Sequence, residues 1–181
     1  KLKNVVTRKA AQWQPASPDE SFEIVRRRLF DPIADDKAKI RDGVIRAFSE
    51  MYRTQPTDFP SGTSEPEYRR RMELSYPIHP ELFDRLFGDW SALDKFQRTR
   101  GVLRLMALAI SQLWQRGDQS LLIMPGNLPM DSGALASEMK KYLEEGWDPV
   151  IKSDVDGENA LPLRIDKEQK HFGRISATRR A

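Results

Sequence analysis

The sequence predicts a mainly α fold, a helical bundle with at most one or two short strands and an irregular C-terminal arm. Three observations predict it. Apolar residues recur at a 3.6-residue period from Phe22 to Tyr142. Capping residues and prolines open these stretches, and Gly or Pro closes them. Only one short apolar run, Ser120 to Met124, reads as a strand candidate, and its periodicity does not separate a buried strand from a helical turn.

The elements follow in order. Ser17-Pro18-Asp19-Glu20 is a helix start, with Ser17 as cap, Pro18 in the first turn and Glu20 closing a capping box. Phe22, Val25 and Leu29 then share one face. A second helix begins at Asp35 or Asp36 and runs to about Thr54, with Ile40, Val44, Phe48, Met51 and Tyr52 in register and Pro56 as its stop. After a turn-rich connector over 56–63, Ser64 and Glu67 form another capping box, and Tyr68 and Met72 face inward. Tyr76-Pro77-Ile78-His79-Pro80 is extended, because a proline disfavours the α region for the residue before it. Pro80 starts the helix that carries Leu82, Phe83, Leu86 and Phe87.

From Gln97 to about Arg116 apolar side chains cover so much of the circumference, Trp114 included, that this reads as the central buried helix, ended by Gly117. Asp131 or Ser132 caps a helix to about Glu145, with Leu135, Met139 and Tyr142 inward and Gly146 as its stop. Residues 148–181 are rich in Asp, Gly, Asn, Pro and charge and read as an irregular arm. The expected organisation is an N-terminal extension over 1–14, a helical bundle over 15–117, and a smaller mixed or irregular subdomain over 118–181 packed on it.

The 181 residues suffice to bury a core. Thirty Lys+Arg against 27 Asp+Glu leave a formal charge of +3, too small for an electrostatic footprint on nucleic acid. With no cysteine, disulfides and thiolate metal sites are excluded, and a reducing cytoplasm is the expected location. No apolar run approaches the roughly 20 residues that a membrane span requires, so no membrane association is expected. Lys1-Leu2-Lys3-Asn4 lacks both an initiator Met and an apolar signal core, which suggests a piece of a longer protein.

The absent motifs bound the chemistry. None of the ten glycines is followed by Lys, so there is no Gly-x-x-x-x-Gly-Lys-Ser/Thr phosphate cradle. Pro125 follows Met124 directly, so the strand candidate ends in no metal-holding acid. The chain alone therefore has no catalytic residues for nucleotide hydrolysis. His79 and His171 are far apart and lack metal-ligand spacing, and His79, between Ile78 and Pro80, reads as a helix-start or packing residue. Asp154-Val-Asp-Gly-Glu-Asn159 resembles a calcium loop only superficially: the bidentate acid would fall at Ile165, and an acidic turn fits better.

Arginines carry the remaining signal. Arg26, Arg27 and Arg28 end the first helix, but each points about 100° from the one before it, which suits solvated ends. Arg98, Arg100 and Arg104 surround Gly101 at the start of the central helix. Arg100 and Arg104 share a face, and Gly101 permits close approach by a neighbour or a ligand. Spacing alone leaves two readings open, an anion site and a structural ion pair.

Four blocks then carry a resemblance: Ser21-Phe-Glu-Ile-Val-Arg-Arg-Arg-Leu-Phe30, Tyr76-Pro-Ile-His-Pro-Glu-Leu-Phe-Asp-Arg-Leu86, Phe96-Gln-Arg-Thr-Arg-Gly-Val-Leu-Arg-Leu-Met106 and Asp154-Val-Asp-Gly-Glu-Asn-Ala-Leu-Pro-Leu-Arg164. Together they resemble a family of large bacterial predicted ATPases of the AAA-plus class, domain-of-unknown-function family 499, from about residue 15 to 181. The resemblance implies an internal section of a longer protein whose nucleotide-binding core mostly precedes residue 1. It also implies that the helical bundle is similar to an AAA-plus lid. In that class a Gly-x-x-Arg motif at a helix start sends its arginine to the nucleotide phosphates. Gly101-Val102-Leu103-Arg104 matches it, making Arg104 the nucleotide-sensing candidate and Arg100 and Arg98 secondary ones. No cofactor is implied for the isolated chain, whereas ATP and magnesium are implied for the full-length parent. The implied partners are the remainder of that ATPase and, through the family's setting in phage defence, DNA or a DNA-methyltransferase-like protein. The competing reading is a helical protein- or DNA-interaction module with no nucleotide role, using Arg174, Arg179 and Arg180 of the tail, which otherwise reads as a frayed end.

Overall fold

A computed structural model describes residues 18–93 and 95–168. Their fold is mainly helical, and among them no strand or sheet forms. The helices are α1 (Pro18–Leu29), α2 (Asp35–Thr54), α3 (Pro66–Ser75), α4 (Pro80–Asp84), α5 (Arg98–Gln115), α6 (Gly133–Lys140), α7 (Trp147–Val150) and α8 (Leu161–Glu168). α4 runs on through a π turn, Arg85–Asp89, and a 3-10 turn, Trp90–Ala92. The Ser17 cap, the 1–14 extension, His171 and the tail arginines Arg174, Arg179 and Arg180 lie outside the described residues.

The main core is where α1, α4, α5 and α6 meet. Phe22 and Val25 of α1 are buried against Leu82, Phe83 and Leu86, and the Phe22 and Phe83 rings stack with centroids 4.7 Å apart. α5 supplies Val102, Leu105, Met106, Ala109 and Leu113, a single stripe at helical spacing. Leu128, Leu135 and Met139 join the same cluster, so its apolar packing continues past residue 117. A second cluster of Ile45, Tyr52 and Met72 forms between α2 and α3.

The central helix is less enclosed than its composition suggests. Trp114, expected inward, is 86% exposed. With about 100° between successive residues, it stands about 120° from the stripe centred on Val102, Ala109 and Leu113. Ile40 of α2 is likewise exposed.

Other starts and stops also differ from expectation. α3 begins one residue later than the Ser64–Glu67 box requires: Glu65 is the cap, without a side-chain cap bond, because Pro66 occupies the first helical position that suits it. α6 ends at Lys140 rather than near Glu145. Lys141, Tyr142 and Leu143 tighten instead into N–H bonds to carbonyls three residues back, the usual way a helix end satisfies its last carbonyls. The strand candidate reduces to one parallel bridge, Ile123 with Ile78.

The expected irregular arm is partly helical. Asp148 pairs with Lys152 one turn on, at 2.8 Å, and with Lys140 of α6, which ties α7 to the bundle. The turn before α8 closes tightly: a Cβ on Gly157 would lie 2.2 Å from the Lys152 carbonyl oxygen, so only glycine fits.

His79 joins three parts of the fold. It caps α4, its Nδ1 accepting the Glu81 backbone N–H at 3.2 Å. In a neutral ring that leaves the proton on Nε2, which donates to the Tyr52 hydroxyl of α2 at 2.9 Å. Its backbone N–H donates to the Ile123 carbonyl at 3.0 Å. Burial pushes its pKa from 6.5 to about 4. The helix-start role read from the sequence is therefore the one it has. Nearby, Arg71 bonds Asp84 at 2.5 Å and lies over the Phe22 and Tyr68 rings.

Candidate functional site

Arg104 sits in the second turn of α5, six residues after Arg98. The helix-end field fades within the first turn, so Arg104 acts through its own charge and through what holds it. What holds it is Glu138 of α6. Arg104 Nη2 donates to Oε2 at 3.1 Å, and Nε lies 3.1 Å from Oε1, so the guanidinium is ion-paired along the edge of the carboxylate. The Glu138 side chain is only 4% exposed, while that of Arg104 is 58% exposed. Among the hydrogen bonds of the described residues, none is made by Arg104 Nη1.

Two further groups reach the same carboxylate. The Lys141 ammonium donates to Oε2 at 2.8 Å, and the Tyr142 hydroxyl to Oε1 at 2.5 Å. Burial pushes the Glu138 carboxyl up, but the hydrogen bonds from Lys141 and Tyr142 and the charges of Arg104 and Lys141 outweigh it, leaving Glu138 below the ordinary range. Burial first, then the bond to Glu138, pushes the Tyr142 hydroxyl up. Glu138 is thus ionised, and Tyr142 stays a neutral donor.

The motif's glycine belongs to the same assembly. A Cβ on Gly101 would lie 2.8 Å from Cε2 of Phe96, so the buried Phe96 ring occupies the close-approach space that sequence reading left to a neighbour or a ligand. Phe96 packs edge-on against Tyr142 with centroids 5.0 Å apart, and Trp90 backs both rings. Gly101 admits Phe96, Phe96 buttresses Tyr142, Tyr142 fixes Glu138, and Glu138 aims Arg104. The glycine and arginine of the motif are thereby linked through side chains as well as through one helix turn.

Arg100 is not drawn into this group. It is exposed and makes a long contact of 3.5 Å with Gln97. Arg98 contributes the first residue of α5, but its side chain lies outside those described. The sequence singles out neither Glu138 nor Lys141, and it marks Tyr142 only as an inward-facing residue. Their signal is the i, i+3, i+4 spacing at the end of an amphipathic helix, which puts a lone acid under a base and an aromatic hydroxyl.

A cavity of about 1080 Å³ opens elsewhere, between the end of α5, α6 and the 148–163 segment. Arg104 does not line it, and its cations are paired: Arg116 with Asp131 at 2.8 Å, and Lys140 and Lys152 with Asp148. The Arg104 group, whose cations outnumber its acid, is the better-built place for an anion.

The family model of the DUF499 second domain matches residues 16–169. The chain belongs to the DUF499 family. That match spans α1 to α8 and includes Gly101, Arg104, Glu138, Lys141 and Tyr142. No curated protein and no solved structure matches the DUF499 domain of this chain. None of its described helices is long and apolar enough to cross a membrane.

Proposed function

We propose that this DUF499 second domain is a non-catalytic, lid-like section of a bacterial AAA-plus-like ATPase that lends Arg104 to the phosphates of a nucleotide held elsewhere in the protein. One observation carries the reading: a half-exposed guanidinium is aimed by a buried carboxylate while its Nη1 face stays open. A positioned guanidinium stabilises phosphate charge without reorganising at the moment of reaction, and closing a lid brings it there. ATP and magnesium are then bound by the remainder of the parent, and Arg100 is a secondary contact on the same helix.

The test is hydrolysis by the full-length parent. Arg104→Ala is expected to lose turnover while the protein stays folded, since the side chain is largely exposed. Unchanged turnover would remove Arg104 from the mechanism.

A second reading, an interaction module without nucleotide, is favoured by Trp114, whose exposed indole on α5 suits a partner contact. Under that reading Trp114→Ala abolishes capture of a partner and Arg104→Ala leaves turnover alone.

A further inference from the structure

We infer that Lys141 is the second cation of the anion site, so that Arg104 and Lys141 form a two-point cradle for an oligophosphate on the buried Glu138 carboxylate. This rests on the phosphate-sensing reading of Arg104 and adds a residue and a ligand class to it.

Arg104 Nη2 and Lys141 Nζ bond the same oxygen, Oε2 of Glu138, at 3.1 and 2.8 Å. Two cations that share one acceptor atom are held side by side. The spacing suits neighbouring oxygens of one phosphate chain better than two separate ligands.

Charge points the same way. Two cations over one carboxylate leave a net positive charge, and Tyr142 is neutral. The layering matters as well: Lys141 is 57% exposed, much like Arg104, and Glu138 lies beneath both. An anion arriving from solvent therefore meets N–H donors before it meets the carboxylate.

A purely structural pair accounts for less of this arrangement. Glu138 is already satisfied by Lys141 on one oxygen and Tyr142 on the other. Adding an arginine to a satisfied acid at a half-exposed site contributes little stability. It does build a cluster with spare donors: Nη1 of Arg104 and two of the three ammonium protons of Lys141. Phosphate, with several charged acceptor oxygens, uses all of them.

The experiment titrates the 181-residue chain with sodium tripolyphosphate at low salt, following amide chemical shifts. Lys141→Gln and Arg104→Gln are each expected to weaken binding about tenfold, the effect of one charged hydrogen bond. Lys141→Arg should retain it, and Lys39→Gln, on the exposed face of α2, should leave it unchanged. Circular dichroism checks that every variant is folded. Weakening by Arg104→Gln alone overturns the role of Lys141 and leaves the Arg104 reading standing. Wild-type chain that does not bind, or binding that neither substitution weakens, overturns the cradle, while the Arg104 reading stands or falls on turnover of the full-length parent. Equal weakening by Lys39→Gln overturns the cradle by showing general charge attraction.

Discussion

Removing the titration of His79 should flatten the acid side of the stability profile. The neutral ring is 4% exposed and engaged at both nitrogens, so the fold holds its pKa at about 4 against 6.5 for a free histidine. The unfolded chain therefore takes up the proton first as pH falls. Between the two values it binds more protons than the native state, so stability rises with pH across the window and is lost on acidification. At about 1.4 kcal/mol for each pH unit, the whole effect is about 3 kcal/mol, of which about 2 kcal/mol disappears between pH 7 and pH 5. Lowered carboxylates such as Glu138 lose their contribution at lower pH, so the upper part of the window isolates the histidine. The comparison is with His79→Asn, which keeps an acceptor able to cap α4 but does not titrate. Urea unfolding at pH 7, 6 and 5 should show the wild type losing about 2 kcal/mol more than the variant. His171 is common to both proteins and cancels. A slope difference below about 0.5 kcal/mol would refute the reasoning. So would a His79 ring proton that titrates in the native state near the free value.

Two further predictions concern packing. Phe83→Ala removes a ring fully buried against Phe22 and should cost about 3–5 kcal/mol in chemical denaturation; a loss under about 1 kcal/mol would mean that the α1–α4 contact is not a main support of the core. Gly101→Ala gains about 1 kcal/mol of helix propensity but forces a methyl into the Phe96 ring, at a cost of about 1–3 kcal/mol. Phe96 is backed by Trp90 and Tyr142 and cannot retreat, so the net expectation is destabilisation by about 1 kcal/mol, and a rise in melting temperature would contradict it.

The helices that pack on long apolar stripes were legible in the sequence. α2 begins at Asp35 and α5 spans Arg98–Gln115, each close to the limits set by periodicity and caps. What was not legible depended on direction or on tertiary pairing. Trp114 counts as apolar in any window, yet its angular offset from Ala109 and Leu113 puts it outside. The 147–155 segment looked like a loop because Asp, Pro and Val are weak helix signals, and an ion-pair network with Lys140 supplies what propensity does not. At the site, Gly101 and Arg104 were visible as a motif. Glu138 was not, because a single acid beside two lysines on α6 and its end has no distinguishing mark until the fold places it against α5.

Whether Arg104 is free to leave Glu138 turns on magnitudes. The pair closes over a buried acid, and breaking a buried pair by removing one partner is expensive when a charge is left uncompensated. Here the charge is not left so. Lys141 and Tyr142 still bond both carboxylate oxygens when the guanidinium swings out. The lost contact is then that of a largely exposed arginine, about 0–1 kcal/mol after solvent screening. A charged hydrogen bond to phosphate contributes about 1.5–3 kcal/mol, and the fork can make two. The free Nη1 can therefore take phosphate while Lys141 and Tyr142 hold Glu138, and any loosening of the Arg104–Glu138 pair as phosphate binds costs little. An arginine built into this arrangement is held in place rather than buried, and the other two groups on Glu138, Lys141 and Tyr142, are what make shifting it inexpensive.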